Sequence, residues 1–334
     1  MQLHRFSAIF TARNREFMRD RIALSWNIVL PVLIVMGFAF AFTSNSSDLF
    51  KVGVLGQPDE QSQTQAFMQT EHIRFITLET LEGAVTKVER HQLDMLIDLE
   101  QGRYWVNNNS ANGYILQQLL KGAAVTLQQQ TVSGDEIRYV DWLIPGVLGM
   151  NVMFSSLFGV GYVIVRYRKN GVLKRLKATP LTSFEFLAAQ VLSRLWLIVL
   201  VTSLVFIGTN LFIGFRMYGS YATLLLVLSL GTLSMISLGL IIAARIASEE
   251  AANGLLNMLS WPMMLLSGVW FSLEGSPAIV QHFASLLPLT HAISAARAVM
   301  IDGAGLTDIW GHLSVLSLMT VLFMFIGARY FRWE

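Results

Sequence analysis

Residues 217–244 read MYGSYATLLLVLSLGTLSMISLGLIIAA and contain no charged side chain. A helix must offer roughly 20 consecutive apolar residues to cross a bilayer, because the hydrocarbon core is about 30 Å thick and each residue adds about 1.5 Å. The sequence predicts one span at 217–246 and five more in stretches that are poor in charge: 22–43, 141–165, 184–213, 253–273 and 309–330. The chain is therefore expected to cross a membrane six times.

The composition agrees with a membrane protein. Of the 334 residues, 54% are hydrophobic and 14% are charged, against about 45–50% and about 25% in soluble domains. The sequence has no cysteine, which excludes disulfides and thiolate metal sites, and no pair of acids or histidines has the spacing of a metal site. The basic residues flank apolar stretches without interleaved aromatic residues, so no nucleic-acid partner is expected.

Two segments outside the spans have a different character. Residues 1–21 predict an amphipathic interfacial helix, with a plain basic flank as the alternative. A cleaved signal peptide is a weaker hypothesis, because the apolar stretch 22–43 is longer than the roughly 7–15 residues that are usual in signal peptides. Residues 44–140 predict a small α/β domain. Its expected strands are Lys51–Gly56, Ile73–Leu78, Asp94–Leu99 and Arg103–Val106, with helices at Leu81–His91 and Ala111–Gln130.

The distribution of charge predicts the orientation. Residues 44–140 carry seven Lys and Arg against twelve Asp and Glu, while the other 17 basic residues are concentrated at the N-terminus, the loop 166–177 and the C-terminus. Lys and Arg are enriched in short cytoplasmic loops. Both termini are therefore predicted to be cytoplasmic, in a bacterial inner membrane, with residues 44–140 on the extracytoplasmic side.

Two motif arrays resemble the ABC-2 permease family. The first is LIPG at 143–146, followed by RKNGVLKRLKATP at 168–180. The second consists of Asn253, Pro262, LSGVWF at 266–271, Pro277, LPLT at 287–290 and Arg297. In one departure, Lys169 and Asn170 stand where many members have an acidic residue, so a salt bridge at that point cannot be carried over.

The resemblance implies an all-α polytopic fold of the ABC-2 or type V exporter kind, with the α/β domain inserted after the first span. Residues 166–183 would form a cytoplasmic coupling loop that contacts an ATPase through Asn170, Gly171, Val172, Leu173, Lys174, Arg175, Leu176, Lys177, Thr179 and Pro180. Structural motif positions in the membrane would be Pro145, Gly146, Asn253, Pro262, Ser267, Gly268, Pro288, Thr290 and Arg297. Residues 274–300 would form a re-entrant outer hairpin, the alternative being an outer loop with a surface helix.

The coupling loop also carries a physical pattern of its own. Gly171 permits a tight bend, and Val172, Leu173 and Leu176 are spaced to make an apolar knob on a short helix with a basic rim. An apolar helix face that docks in a groove is a common mode of recognition. The alternative is a basic turn that merely flanks the membrane.

The expected partners follow from what the sequence lacks. No phosphate-binding G-x-x-x-x-G-K-[ST] motif occurs, so ATP and Mg²⁺ are expected on two copies of a separate cytoplasmic ABC ATPase, and no enzyme activity or cofactor is expected in this chain. The other partners would be a second permease copy, identical or related, membrane lipid and a periplasmic or envelope protein. The expected function is export of a drug, lipid, peptide or similar substrate. The rival hypotheses are an ion-coupled secondary transporter or channel, and a membrane-anchored receptor or assembly factor.

Charged residues near the inner ends of the predicted spans are Glu185, Arg194, Arg245, Glu249 and Glu250. Their positions near the interface allow the charges to reach water. They are therefore expected to be solvated or paired structural charges rather than transport residues.

Overall fold

The structure is a computed structural model that describes residues 3–41, 50–56, 67–68, 70–78, 81–89, 93–123, 127–134, 138–215, 217–273 and 277–333. Two compact units divide the chain. One contains Met1–Ala39 together with Val140–Glu334, and the other is Phe40–Tyr139.

The first unit is helical. Its elements are α1 (Leu3–Arg19), α2 (Arg21–Ala41), α5 (Tyr139–Ser156), a π-helical segment (Leu157–Tyr162), α6 (Val163–Lys169), α7 (Val172–Lys177), α8 (Ser183–Ile213), α9 (Tyr221–Ala243), α10 (Glu249–Leu266), α11 (Ala278–Ser285), α12 (Pro288–Asp302) and α13 (Trp310–Tyr330). The labels α3 and α4 belong to the second unit.

By length and composition, four helices of the described chain could cross a membrane: Tyr139–Lys169, Ser183–Ile213, Tyr221–Ala243 and Trp310–Tyr330. The number rises to six if each of two bent helix pairs counts as one span, namely His4–Arg19 with Leu24–Phe38 and Ala278–Ser285 with Pro288–Asp302. The structure thus confirms a polytopic helical membrane protein.

The helix predicted at 253–273 has different bounds. The helix α10 begins at Glu249, because the Ser248 hydroxyl accepts a hydrogen bond from the Ala251 amide and two glutamates occupy the first turn. It ends at Leu266, just before Gly268 with a φ of 70°. This helix is not among the four long apolar ones of the described residues.

The helix α8 is the longest described element. Thr182 and Glu185 form a reciprocal capping box at its start, and Gly214 ends it with a φ of 60°. Its 31 residues extend about 46 Å, so α8 is longer than the roughly 30 Å hydrocarbon core.

The second unit contains β1 (Phe50–Leu55), β2 (Ile73–Leu78), α3 (Leu81–Glu89), β3 (Met95–Asp98), β4 (Arg103–Asn107), α4 (Ala111–Gly122) and β5 (Gln128–Val132). The sheet order is β2-β1-β3-β4-β5, and only the β3–β4 pair of these described strands is antiparallel. The small α/β fold agrees with the prediction for this segment.

One predicted helix of this unit is wrong in its second half. The expected helix Ala111–Gln130 ends at Gly122, and Gln128–Val132 instead forms an edge strand parallel to β4. The Gln-rich segment gains backbone hydrogen bonds from β4, and this tertiary pairing outweighs its local preference for helix. His91 and Val125, which belong to the predicted helices, lie outside the described residues.

Candidate functional site

The candidate site is the short elbow that joins α6 to α8. Asn170 ends α6, Gly171 adopts the left-handed conformation with a φ of 67°, and α7 follows. The Thr179 hydroxyl donates to the Leu176 carbonyl at 2.6 Å, which closes the last turn before Pro180. The helical stretch Tyr139–Lys169, which ends with α6, and the helix α8 are each long enough to cross a membrane, so the elbow is a short connection between two candidate spans.

The predicted apolar knob does not face outward. Leu173 has no exposed surface and packs in the helical core with Ile164, Phe186 and Leu240, while Leu176 packs partly against the same cluster. The exposed apolar knob expected at Leu173 is therefore not present in this structure, because its side chain packs against other residues of this chain. Val172 is half-buried, and the exposed residues of the elbow are Lys174, Arg175, Lys177, Ala178, Thr179 and Pro180.

Arg168 fixes the elbow to the rest of the unit. Its guanidinium group donates to the carbonyls of Ile246, of Ala244 at 3.3 Å and of Arg332 at 2.8 Å. It also lies 6.0 Å from the centre of the Phe331 ring. One buried cation thus ties the end of α6 to the α9–α10 loop and to the segment after α13.

The elbow also makes ion pairs with α10. Lys169 Nζ lies 3.3 Å from Glu250 and 3.8 Å from Glu249, and the Tyr162 hydroxyl donates to Glu249 at 2.6 Å. Hydrogen bonds from its own backbone amide, the Ser248 hydroxyl and Lys169 lower the pKa of Glu250 to about 2. A salt bridge to a neighbouring helix is present here after all, with Lys169 as its cation.

The helix α1 binds the other side of the elbow. Arg5 donates to the Pro180 carbonyl. Glu16 accepts from Arg13 at 2.6 Å, from Arg166 at 3.1 Å and from the Tyr167 hydroxyl. The elbow is therefore held from two directions, by α1 and by the Arg168 contacts.

The second motif array meets the first at Pro145 and Gly146 in α5. A Cβ atom added at Gly146 would lie 2.4 Å from the Val269 carbonyl oxygen, so only glycine allows this approach of the backbone. Arg297 donates to the Gly268 carbonyl at 3.0 Å, and its guanidinium carbon lies 3.8 Å from the centre of the Trp142 ring.

The other motif residues divide into two groups. Thr290 donates to the Ser267 hydroxyl at 3.0 Å, and Pro288 opens α12 at its first turn. Asn253 and Pro262 are exposed positions of α10, where Pro262 is accommodated inside the helix. The two helices of the predicted hairpin, α11 and α12, meet at a bend of 95°. Glu274 and Gly275 of the hairpin, and Arg216 in the α8–α9 loop, lie outside the described residues.

Replacing Gly171 by Ala tests whether the positive φ at this bend requires glycine. No heavy atom of the described structure lies within 4 Å of an added Cβ atom, so the cost comes from the positive φ alone. We expect a loss of about 1–2 kcal/mol in the free energy of unfolding for Gly171→Ala and a smaller loss for Gly171→Asn, because asparagine tolerates this conformation. Chemical unfolding in detergent micelles measures the difference, and equal losses for the two variants would contradict it.

Comparison with known proteins gives the family. A family model described as ABC-2 type transporter matches residues 92–301. The chain belongs to the ABC-2 type transporter family. The matched range includes the elbow and both motif arrays, and it ends before the last helix of the chain.

Several relatives of this ABC-2 chain are named as permeases. It is 26% identical over 186 residues to the linearmycin resistance permease protein LnrN of Bacillus subtilis (strain 168), a match that covers 55% of this chain and 48% of that protein. It is 28% identical over 188 residues to the inner membrane transport permease YhhJ of Escherichia coli (strain K12), covering 54% and 49%. The chain thus spans about half the length of these two relatives.

A third relative aligns over nearly the whole chain. The probable multidrug ABC transporter permease YbhS of Escherichia coli (strain K12) is 21% identical over 365 residues, which cover 98% of this chain and 96% of that protein.

Sequence reasoning missed two parts of the site, the carbonyl contacts of Arg168 and the Glu16 cluster. Arg168 stands in a basic run, and its neighbours give no sign that it alone points inward. Glu16 is a usable signal, since an acid among the four arginines of α1 often has a local partner.

Proposed function

We propose that this chain is the membrane-spanning subunit of an ATP-driven exporter in a bacterial inner membrane, with the elbow as the contact for a separate ATPase subunit. The observation that carries the proposal is the exposed basic face of α7, held between two spans by contacts on both sides. Membership of the ABC-2 family and the likeness to ABC transporter permeases support it.

The elbow is suited to transmit a displacement. Leu173 is buried in the same core as Phe186 of α8 and Ile164 of α6, so α7 cannot move without moving the ends of both long helices. Protein cores are close-packed and pass on small displacements rather than absorbing them. A push on α7 would reach the two spans directly.

The chemistry of the exposed face indicates what binds it. Lys174, Arg175 and Lys177 project from α7, and the structure gives no carboxylate partner within 4.0 Å for Lys174 or Arg175 among the described residues. A groove with acidic walls on the ATPase is the complementary surface, because opposite charges steer association and fix the register of a contact. The apolar anchor expected from the sequence is replaced by a charged one.

The rest of the proposal follows the predicted orientation. The chain would span the membrane six times with both termini and the elbow in the cytoplasm, and the sheet unit would lie on the extracytoplasmic side. Two permease copies, identical or related, would bind two ATPases that carry ATP and Mg²⁺. The bent pair α11 and α12 would be the re-entrant hairpin. The substrate would be a drug, lipid, peptide or similar molecule that moves outward.

Reversal of charge on the elbow tests the ATPase contact. The partner is first identified by affinity-tagging this chain, cross-linking it in native membranes and applying mass spectrometry. We expect Lys174→Glu, Arg175→Glu and Lys177→Glu together to weaken capture of the ATPase at least tenfold, since like charges across an interface cost several kcal/mol.

The matched control is Arg329→Glu, an exposed basic residue at the end of α13. It should capture the ATPase as the wild-type chain does, and both proteins should elute as folded species from size-exclusion chromatography. Full capture by the triple variant would overturn the proposed contact. A wild-type chain that captures no ATPase while it still transports would favour an ion-coupled transporter or channel.

A further inference from the structure

A cavity of about 490 Å³ lies in the helical unit. It is lined by residues from the α1–α2 pair, from α5 through α6, from α8 and from α10. Its walls mix charged, amide, hydroxyl and aromatic side chains, which is unusual among helices that could cross a membrane. Polar groups in such positions are costly and mark a functional site by default.

The charged group that stands out in this cavity is Arg194, on α8. Among the described residues its guanidinium group makes no hydrogen bond and has no carboxylate within 4.0 Å. It lies 4.9 Å from the centre of the Phe17 ring. A Cβ atom added at Gly159 would lie 3.4 Å from the guanidinium carbon, so the glycine leaves room for the cation. Arg194, expected from the sequence to be a solvated or paired structural charge, is half-buried and faces this cavity and the Phe17 ring.

Glu16, an acid of this cavity, makes no hydrogen bond or ion pair with Arg194 in the described structure. Glu16 already accepts from Arg13, Arg166 and the Tyr167 hydroxyl. Asp20, which also lines the cavity, has an interaction of its own. A guanidinium group that faces a cavity without a hydrogen-bonded anion can form strong charge-assisted hydrogen bonds when an anion enters.

The remaining walls fit a molecule with an apolar part. On α8, the cavity is lined at positions 194, 197, 198, 201 and 202, which form one face of the helix. Leu197 and Ile198 follow Arg194, and Phe154 and Phe158 also line the cavity. Thr202, about 12 Å along α8 from Arg194, has a hydroxyl without a hydrogen-bond partner in the described structure. The cavity thus offers a cation at one end and an apolar path beyond it.

We propose that this cavity binds an amphiphile with an anionic head group, a phosphate or carboxylate, which Arg194 holds while the apolar part lies along α8. The identification of this amphiphile as cargo rests on the proposed function. The binding itself does not, because every residue involved belongs to this chain. Anionic amphiphiles would thereby be the class of substrate that the exporter accepts.

Binding of a fluorescent dodecyl phosphate to the purified full chain in phosphatidylcholine nanodiscs, without ATPase, tests the proposal. We expect Arg194→Gln to raise the Kd roughly tenfold or more, because a hydrogen-bonded charged pair is lost. Arg194→Lys should recover part of the affinity. Asn257→Asp, which adds a carboxylate to the cavity wall, should also raise the Kd, and it covers the case in which the Arg194 variants do not fold. Arg329→Gln is the matched control and should leave the Kd unchanged.

Competitors separate the possible ligands. The dodecyl trimethylammonium ion and dodecanol should displace the probe at least tenfold less well than unlabelled dodecyl phosphate, and inorganic phosphate alone should displace it poorly. Equal displacement by the ammonium compound, or unchanged Kd values in both Arg194→Gln and Asn257→Asp, would overturn the anion site. Displacement by inorganic phosphate as strong as by dodecyl phosphate would overturn the amphiphile. Capture of the ATPase by the same variants is measured in parallel, so a failure of binding and a failure of coupling remain distinct.

Discussion

Leu173→Asp is expected to leave little folded protein. Leu173 has no exposed surface and packs against the cluster that joins α6, α7 and α8. Truncating a buried leucine to alanine already costs about 2–5 kcal/mol, and a carboxylate at that position would enter an apolar cluster. The loss should exceed that range, because a buried charge without a partner is the more costly change.

Lys174→Asp is the matched control, since the neighbouring residue is exposed on the same short helix. Its melting temperature in detergent, followed by intrinsic fluorescence, should lie close to that of the wild-type chain. The two hypotheses for the elbow then give opposite results. If Leu173 were a surface knob for the ATPase, Leu173→Asp would be as stable as wild type and would fail only in ATPase capture.

The long helices can be predicted because a run of some 20 apolar residues rarely occurs outside a membrane-spanning helix. The sequence predicts a helix over 184–213, and α8 covers Ser183–Ile213. The end of α10 is harder to predict. The motif LSGVWF reads as a continuation of the apolar run, and only the positive φ of Gly268 marks the end of the helix. The start at Glu249 does have a signal, a serine followed by two acids, which is typical of a helix N-terminus.

The strands of the sheet unit also differ in how well the sequence predicts them. Ile73–Leu78 is predicted with the bounds of β2, because alternating and β-branched residues decide a strand locally. The strand β5 cannot be predicted, since Gln128, Gln129 and Gln130 have no preference for strand and their pairing with β4 depends on tertiary structure.

The bend of the elbow is predictable and its orientation is not. Gly171 at a positive φ and the stop at Pro180 follow from the residue types. Leu173 and Lys174 are adjacent, and which of them faces the core is set by how α7 meets α8, information that a six-residue helix does not contain. The same limit applies to Arg168, whose carbonyl partners come from segments more than 70 residues away.

Gly146→Ala is the second change with a large expected effect, and it tests why the Pro145–Gly146 pair exists. The added methyl group would lie 2.4 Å from the Val269 carbonyl oxygen and 3.1 Å from the carbonyl carbon. The obstacle is backbone, so no side-chain rotation can relieve it. The segment around Val269 is also held by Arg297, which donates to the neighbouring Gly268 carbonyl at 3.0 Å. We expect a loss at the upper end of, or above, the roughly 1–3 kcal/mol of ordinary overpacking.

Gly208→Ala in α8 is the matched control, because it makes the same substitution in another long apolar helix where no heavy atom of the described residues lies within 4 Å of the added Cβ. It should raise the stability by up to about 1 kcal/mol, since alanine favours helix over glycine. Thermal unfolding of both variants in the same detergent gives the comparison. Opposite signs would mean that the glycine of the motif is required by the close approach of two backbones, whereas losses of equal size would mean that it serves no packing role.

Arg297→Lys then separates the contribution of the arginine from that of the glycine at the junction between α5 and the segment around Val269. If the arginine holds the loop against α5, its loss should reduce the destabilisation that Gly146→Ala causes, because a loop no longer held by Arg297 can move away from the added methyl group.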